Sequence, residues 1–211
     1  WTYAQIVIKV AAAWMAPSGI FNSHLIVASA IERSGTEEQK RRYLPRMASG
    51  EMRASIGLTE PNAGSDLQAI RTAARLDGDD YVVNGSKMWI TNSLYGQFTL
   101  LLVKTDPEAQ PRHKGMSLLI AEKGPGYEVA KLKKMGYRSI DTCEINFDNY
   151  RVPKANLLGG VEGKGFVQTA GGLELGRINV AARGAGIAEG ALMHSLRYAQ
   201  ERSAFGKPIW Q

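Results

Sequence analysis

From Phe166 to Arg202 the chain reads as one long helix, and a helix of that length cannot bury its own apolar face. Its small residues, Ala181, Ala182, Gly184, Gly186, Ala188 and Gly190, would weaken a helix standing alone in water. Their use is the close approach of neighbouring helices, so the segment predicts a helix central to a bundle. Residues 1–50 offer part of that bundle. The chain stops at Gln211, so either further helices of a longer protein or a partner chain are expected to complete it.

Helical spacing recurs through Ile6, Val10, Ala13 and Trp14, is interrupted at Pro17-Ser18-Gly19, and resumes from Ile20 to Ile31. Thr36-Glu37-Glu38-Gln39 is a capping box that starts a short helix, expected to end near Tyr43-Leu44 because Pro45 follows. From about residue 52 the character changes. Tyr81 to Thr91 predicts a hairpin turning at Asn84-Gly85. Phe98–Val103, Met116–Ala121, Tyr127–Ala130 and Thr142–Phe147 predict further short strands, with Cys143 a buried strand residue. About seven strands with no helix between them make an antiparallel barrel or sandwich. Gly159 to Gly165 is a flexible connector that lacks the spacing of a phosphate-binding loop. The expected organisation is α+β: terminal helices over 1–50, a middle β-domain over 51–158, and a connector with the first helix of a C-terminal helical domain over 159–211.

The sequence excludes several classes. Its net charge of +6 would allow an acidic partner, but the basic residues are interleaved with acids, as in Glu37-Glu38-Gln39-Lys40-Arg41-Arg42. With no basic stripe carrying aromatics, nucleic acid is not a partner. A lone cysteine rules out an internal disulfide and a thiolate cluster, and three distant histidines leave little for a metal. Trp1 to Met15 is apolar but carries Gln5 and Lys9, so it fits neither a signal peptide nor a membrane span. The absence of an initiator Met and the abrupt helical start predict a fragment of a longer protein that is not secreted.

Ile56-Gly57-Leu58-Thr59-Glu60-Pro61-Asn62-Ala63-Gly64-Ser65-Asp66 is the stretch with the strongest chemical promise. An apolar strand breaks at Pro61 into a turn of small residues, leaving uncrowded N–H groups that suit an anionic or heteroaromatic ligand. Alone, it could equally be an ordinary strand end. Trp89 alone reads as core, Arg202 as a helix-end cation, and Glu174 with Arg177 as an i,i+3 ion pair.

Four motifs, in order, shift those readings: Leu58 to Asp66, Lys87-Met88-Trp89-Ile90-Thr91-Asn92, Val152 to Gly159, and Glu201-Arg202-Ser203-Ala204-Phe205-Gly206-Lys207-Pro208. Together they resemble the acyl-CoA dehydrogenase family of flavoproteins over essentially the whole chain. The resemblance implies that FAD is the cofactor. Ile56, Leu58, Thr59, Gly64 and Ser65 would hold the flavin edge and pyrophosphate. Trp89 and Ile90 would lie against the isoalloxazine, Trp89 covering one face, with the Thr91 hydroxyl on N5. Arg202 and Phe205 would serve the FAD of a neighbouring subunit, a guanidinium fork suiting two phosphate oxygens. Ser65, Glu174 and Arg177 would contact acyl-CoA.

The family's reaction removes the α-proton of an acyl-CoA with a carboxylate while hydride passes to the flavin, and the electrons go on to an electron-transferring flavoprotein. In most members the base is a Glu late in the C-terminal domain, beyond Gln211. A minority place it just before the position of Arg177, which here is Gly176, so no catalytic base is expected within 1–211. Alternatives are an acyl-CoA oxidase on the same fold and a non-catalytic partner subunit. The substrate leans to a short- or medium-chain acyl-CoA. A dicarboxylic acyl group is disfavoured, because no Arg precedes Arg33 to hold a distal carboxylate. A dimer or tetramer is implied, cytoplasmic in a bacterium or in the mitochondrial matrix of a eukaryote.

Overall fold

The computed structural model describes residues 1–211. Three helices come first: α1 (Thr2–Ala13), α2 (Met15–Ser34) and α3 (Glu37–Ala48). The break between α1 and α2 falls at Trp14, whose backbone is extended (φ −160°, ψ 116°), and not at Pro17-Ser18-Gly19. Pro17 lies in the first turn of α2, where a missing N–H costs no helical hydrogen bond, and its fixed φ is already helical. The capping box forms as expected, with Gln39 N–H donating to the Thr36 hydroxyl. However, α3 runs on through Pro45 to Ala48. Tyr43 and Met47 are both buried, so packing on either side of the proline holds a turn that local preference would end.

Seven strands follow: β1 (Ala54–Gly57), β2 (Ala73–Asp77), β3 (Asp80–Thr91), β4 (Phe98–Lys104), β5 (Met116–Glu122), β6 (Tyr127–Lys131) and β7 (Thr142–Pro153). They form one sheet in the order β1-β4-β2-β3-β7-β6, with β5 on the other edge of β4. Most pairs are antiparallel; β4 runs parallel to both β1 and β2. The sheet curls because β4 bears β1 along Phe98–Leu101 and β2 only at Lys104. The chain leaves the β4 edge after Gly57 and rejoins it at Ala73. The intervening excursion, Leu58 to Thr72, carries the motif of greatest interest.

The expected hairpin at Asn84-Gly85 is not formed. β3 is one continuous strand, and the two-residue turn lies earlier, at Gly78-Asp79, where Asp77 pairs with Asp80. Gly85 sits inside β3 at φ +141°, and a Cβ there would come within 2.6 Å of the Thr72 hydroxyl. Glycine is needed for that close approach and not for a turn, a distinction the dipeptide alone cannot make.

Two cores sit on opposite faces of the sheet. Leu100 and Leu102 of β4 with Met116, Leu118 and Ile120 of β5 pack against α2 and α3 through Val27, Ile31, Tyr43 and Met47. Leu101, Val103, Leu119 and Ala121 face the inside of the curl, with Tyr81, Ile145, Phe147 and Val152. Both faces of β4 and β5 are buried, which explains their unbroken apolar runs. After β7 the connector leads into α4 (Gly165–Glu201), which lies across α1 and α2. Here the small residues divide. Gly186 and Gly190 meet the α1 carbonyls of Ile8 and Ala12 too closely for any side chain, whereas Gly184 faces open space. Val180, Ile187, Leu192, Met193 and Leu196 of α4 are exposed. A short hairpin of β8 (Ser203–Ala204) and β9 (Lys207–Pro208) ends the described chain.

Candidate active site

The Leu58–Thr72 excursion is held at its neck by reciprocal backbone hydrogen bonds between Glu60 and Ala63, 2.8 and 3.2 Å. Pro61 and Asn62 form the exposed tip. The N–H groups of Leu58, Thr59, Gly64 and Ser65 donate to nothing within the chain. Around Gly64 there is room to spare: the nearest atom to a hypothetical Cβ is Thr59 Cγ2, at 3.9 Å. These donors therefore face a space that a ligand can enter.

That space is a groove of about 550 Å³ between the excursion and α4. Leu58, Thr59, Gly64, Ser65 and Leu67 form one wall. Phe166, Thr169, Ala170, Leu173 and Arg177 form the other, at i, i+3, i+4, i+7 and i+11 along one helical face. A second hollow of about 510 Å³ continues past the shared Leu173 and Arg177 to Asn22, Ile26, Gly176 and Val180. The whole is a long, largely apolar trough with a cation part-way along it and backbone donors on one side.

Trp89 stands on the neighbouring strand. Between the pairs Lys87↔Ile145 and Ile90↔Cys143 of the β3–β7 ladder, Met88 and Trp89 stand opposite Glu144 alone, which makes a β-bulge. Trp89 adopts φ +65°, a left-handed conformation unusual for a bulky residue, and the residue is 61% exposed. It is not a core residue. A strained, exposed aromatic held by the surrounding ladder is the kind of feature that functional sites retain. The bulge touches the groove's loop directly, since Met88 N–H donates to the Thr59 carbonyl at 2.8 Å. Thr91 is half-buried, and Asn92 just after it anchors β3 to α2 through Nδ2 and the Ile20 carbonyl at 2.7 Å. The Ile90 side chain points into the inner core, which leaves only its backbone for a ligand.

Beneath the loop lies a buried ion pair, Lys87 with Glu60, at 2.9 Å. Burial pulls the Lys87 ammonium down to about 8 even with the carboxylate beside it. Burial pushes Glu60 the other way, but the Lys87 charge and several hydrogen bonds outweigh it and hold the carboxyl below its ordinary value.

The structure thus brings Leu58, Thr59, Gly64, Ser65 and Arg177 together in one groove, with Trp89 on the strand that grips it. Ile56 is half-buried in β1 at its foot. Glu174 is exposed and forms no ion pair with Arg177. Arg202 and Phe205 lie elsewhere: the 25 residues from Arg177 to Arg202 span about 38 Å of helix. Phe205 sits fully exposed at the tip of the β8–β9 turn, with φ +53°. Sequence reasoning missed Phe166, Thr169 and Leu173. Their signal was present, because extending the face of Arg177 back by helical spacing reaches all three. Asn22 and Ile26 had no such signal, since only tertiary packing carries α2 to that point.

The acyl-CoA dehydrogenase N-terminal domain matches residues 1–51, the middle domain of the same family residues 55–150, and its C-terminal domain residues 163–211. An acryloyl-CoA reductase (NADH) of Anaerotignum propionicum is 46% identical over 199 residues, covering 92% of this chain and 50% of that protein. The structure of an acyl-CoA dehydrogenase from Geobacillus kaustophilus superposes with a TM-score of 0.94 at 40% identity, over 99% of this chain and 55% of that one. A glutaryl-CoA dehydrogenase from Mycobacterium smegmatis, solved in complex with FADH2, superposes at 0.90 with 30% identity, over 98% and 52%. The chain spans about half the length of such relatives. With all three domain families matched in order along one chain, the chain belongs to the acyl-CoA dehydrogenase family.

Proposed function

We propose that this chain carries the flavin edge and much of the acyl-CoA groove of an FAD-dependent acyl-CoA dehydrogenase. The reaction is α,β-dehydrogenation of an acyl-CoA thioester to the trans-2-enoyl-CoA. The observation that carries this reading is the convergence of Leu58, Thr59, Gly64, Ser65 and Arg177 on one groove, beside the exposed Trp89 bulge.

The residues present fit the cofactor. Unpaired N–H groups at Leu58 and Thr59 suit the polar edge of the ring, and the open backbone at Gly64 and Ser65 suits a pyrophosphate. The Trp89 indole can cover one face, and the Thr91 hydroxyl can reach the ring nitrogen N5. FAD, when bound, supplies the hydride acceptor. The chain's own residues orient it, and the apolar wall of Phe166 and Leu173 keeps water from the acyl arm. Ser65 and Arg177 contact the CoA portion, with Glu174 one helical turn from Arg177. Gly176, at the position where a minority of the family carries the base, has no side chain to act as one. We therefore assign the base to a Glu from outside residues 1–211, as in most of the family.

Arg202 and Phe205 are too far from Arg177 to join this groove, so we assign them to the FAD of a second copy in a homo-oligomer. Onward electron transfer goes to an electron-transferring flavoprotein, a reading that rests on family resemblance. The test is the visible spectrum of the full-length protein. A flavin band bleached without oxygen by a saturated short-chain acyl-CoA is expected. A colourless protein that FAD cannot reconstitute would sink the reading. The 46% identity to the acryloyl-CoA reductase favours a second reading, enoyl-CoA reduction in the opposite direction. NADH oxidation driven by acryloyl-CoA would select it.

A further inference from the structure

The buried Lys87–Glu60 pair lies directly behind the flavin wall and takes no part in the proposed chemistry. Lys87 is 0% exposed and Glu60 8%. Lys87 Nζ donates to Glu60 Oε1 at 2.9 Å and to the Leu58 carbonyl at 3.0 Å. The Glu60 carboxylate in turn accepts the backbone N–H of Arg71 through Oε2 at 2.6 Å and that of Thr72 through Oε1 at 2.9 Å. Met88, the next residue, donates its N–H to the Thr59 carbonyl.

Successive residues of β3, 87 and 88, therefore grip successive carbonyls of the loop, 58 and 59. The residue after them is Trp89. At its far end the same pair pins Arg71 and Thr72, where the excursion rejoins the sheet. One network joins both ends of the loop to the bulge.

Stability does not account for a charged pair here. Exchanging a buried ion pair for apolar side chains of similar volume is often neutral or stabilising, because the charges no longer have to be stripped of water. What the pair adds over two apolar side chains is direction: an ammonium aimed at one carbonyl and one carboxylate, and a carboxylate aimed at two amides. Such bonds set the position of Leu58 and Thr59 relative to Trp89 to within a hydrogen-bond length.

We infer that Lys87 and Glu60 are positioning residues that hold the Leu58–Thr59 edge against the Trp89 bulge, so that the flavin cleft is formed before the cofactor arrives. The inference rests on the flavin reading of the site. A preformed cleft spares the cofactor the cost of ordering the loop, so loss of the pair should appear as weaker FAD binding. Oxidised and reduced flavin present different hydrogen-bonding edges to this wall, so its displacement should also change their relative affinities.

The experiment uses the full-length flavoprotein in four forms: wild type, Lys87→Met, Glu60→Gln and the double variant. For each, FAD affinity, the visible flavin spectrum, the two-electron reduction potential and the melting temperature are measured. Each single variant leaves a buried group without its partner and should lose both melting temperature and flavin. The double variant removes the unpaired charge and should regain most of the melting temperature. It should still bind FAD at least tenfold more weakly, with an altered spectrum and a shifted potential. A tenfold change in the ratio of oxidised to reduced affinity reads as about 30 mV.

Should the single variants not fold, the double variant decides alone. A double variant matching the wild type in affinity, spectrum and potential overturns the inference. So does one that cannot fold, because the pair would then serve the fold itself. A wild type that binds no FAD fails earlier, and overturns the reading of the site before the variants are compared.

Discussion

Two residues show how much a single position can conceal. Trp89 reads as core by residue type, yet at a bulge with a left-handed backbone the residue is 61% exposed. Lys87, in the same motif, is the kind of residue that normally lies at the surface, and it is completely buried. Neither fact follows from residue type, because each depends on the strand opposite and the loop above. The Lys87–Glu60 pair makes a pH prediction with a definite sign. Glu60 is held below its ordinary value of 4.5 in the folded state. Its contribution to stability is therefore complete above that value and is lost as the pH falls through the lowered one. Lys87 has a folded value of about 8, below its ordinary 10.5, so the unfolded chain holds more protons across that window and this group's contribution grows as the pH rises through it. Urea titrations from pH 3 to 10 should show Glu60→Gln flattening the acid limb and Lys87→Met the alkaline one. Unchanged limbs in both variants would remove the pair from the pH dependence.

At the scale of elements, the capping box of α3 does more than its motif announces. Gln39, 5% exposed, accepts from Thr36 N–H through Oε1 at 3.1 Å, as the motif requires. The same side chain donates to the carbonyls of Ala155 at 2.9 Å and Leu157 at 2.8 Å, and accepts from Gly159 N–H at 3.1 Å. One amide thereby ties the third helix to the segment between the sheet and α4. Thr36→Ala removes only the cap and should cost about 1 kcal/mol. Gln39→Ala leaves several buried groups unpaired and should cost roughly 2–4 kcal/mol, since each such group carries about 1–3. Denaturant midpoints at constant m-value check the order, and equal losses would confine Gln39 to the capping role. The connector it holds is tightly packed at its end: a Cβ at Gly165 would meet the Ser117 backbone. α3 itself passes Pro45 because Tyr43 and Met47 are anchored on either side. That outcome depends on packing which no local rule contains.

At the scale of the molecule, α4 divides the protein's tasks along its length. Near its start it walls the groove and packs on α2 through Gly172 and Gly176, further on it packs on α1 through Gly186 and Gly190, and at its end it carries Arg202 about 38 Å from Arg177. The apolar side chains it leaves exposed and the distant Arg202 fit one proposal, a site completed by another copy. Arg202→Ala in the full-length protein should lower flavin content and loosen the oligomer together, read by absorbance ratio and size-exclusion chromatography. A variant that keeps both would detach Arg202 from the cofactor.

Much of this was legible beforehand. The element types, the apolar strands of the sheet core and the long helix follow from periodicity and turn chemistry, and the groove residues Leu58, Thr59, Gly64, Ser65 and Arg177 from the resemblance of the motifs to the acyl-CoA dehydrogenase family. Such signals are local, being carried by residues a few positions apart. What they could not reach was any choice settled by a distant neighbour. Asn84-Gly85 has the composition of a turn, and only the close approach of Thr72 makes it part of a continuous strand. Pro45 has the local signal of a helix end, and only buried contacts on both sides carry the helix through. Asn22 and Ile26 came to the groove by the crossing of α4 over α2. Local sequence was enough to set most segments as helix or strand and to single out the Leu58–Ser65 motif that forms one wall of the groove. Which of those segments meet was settled only on folding, because burial, ion pairing and backbone strain depend on neighbours far away along the chain.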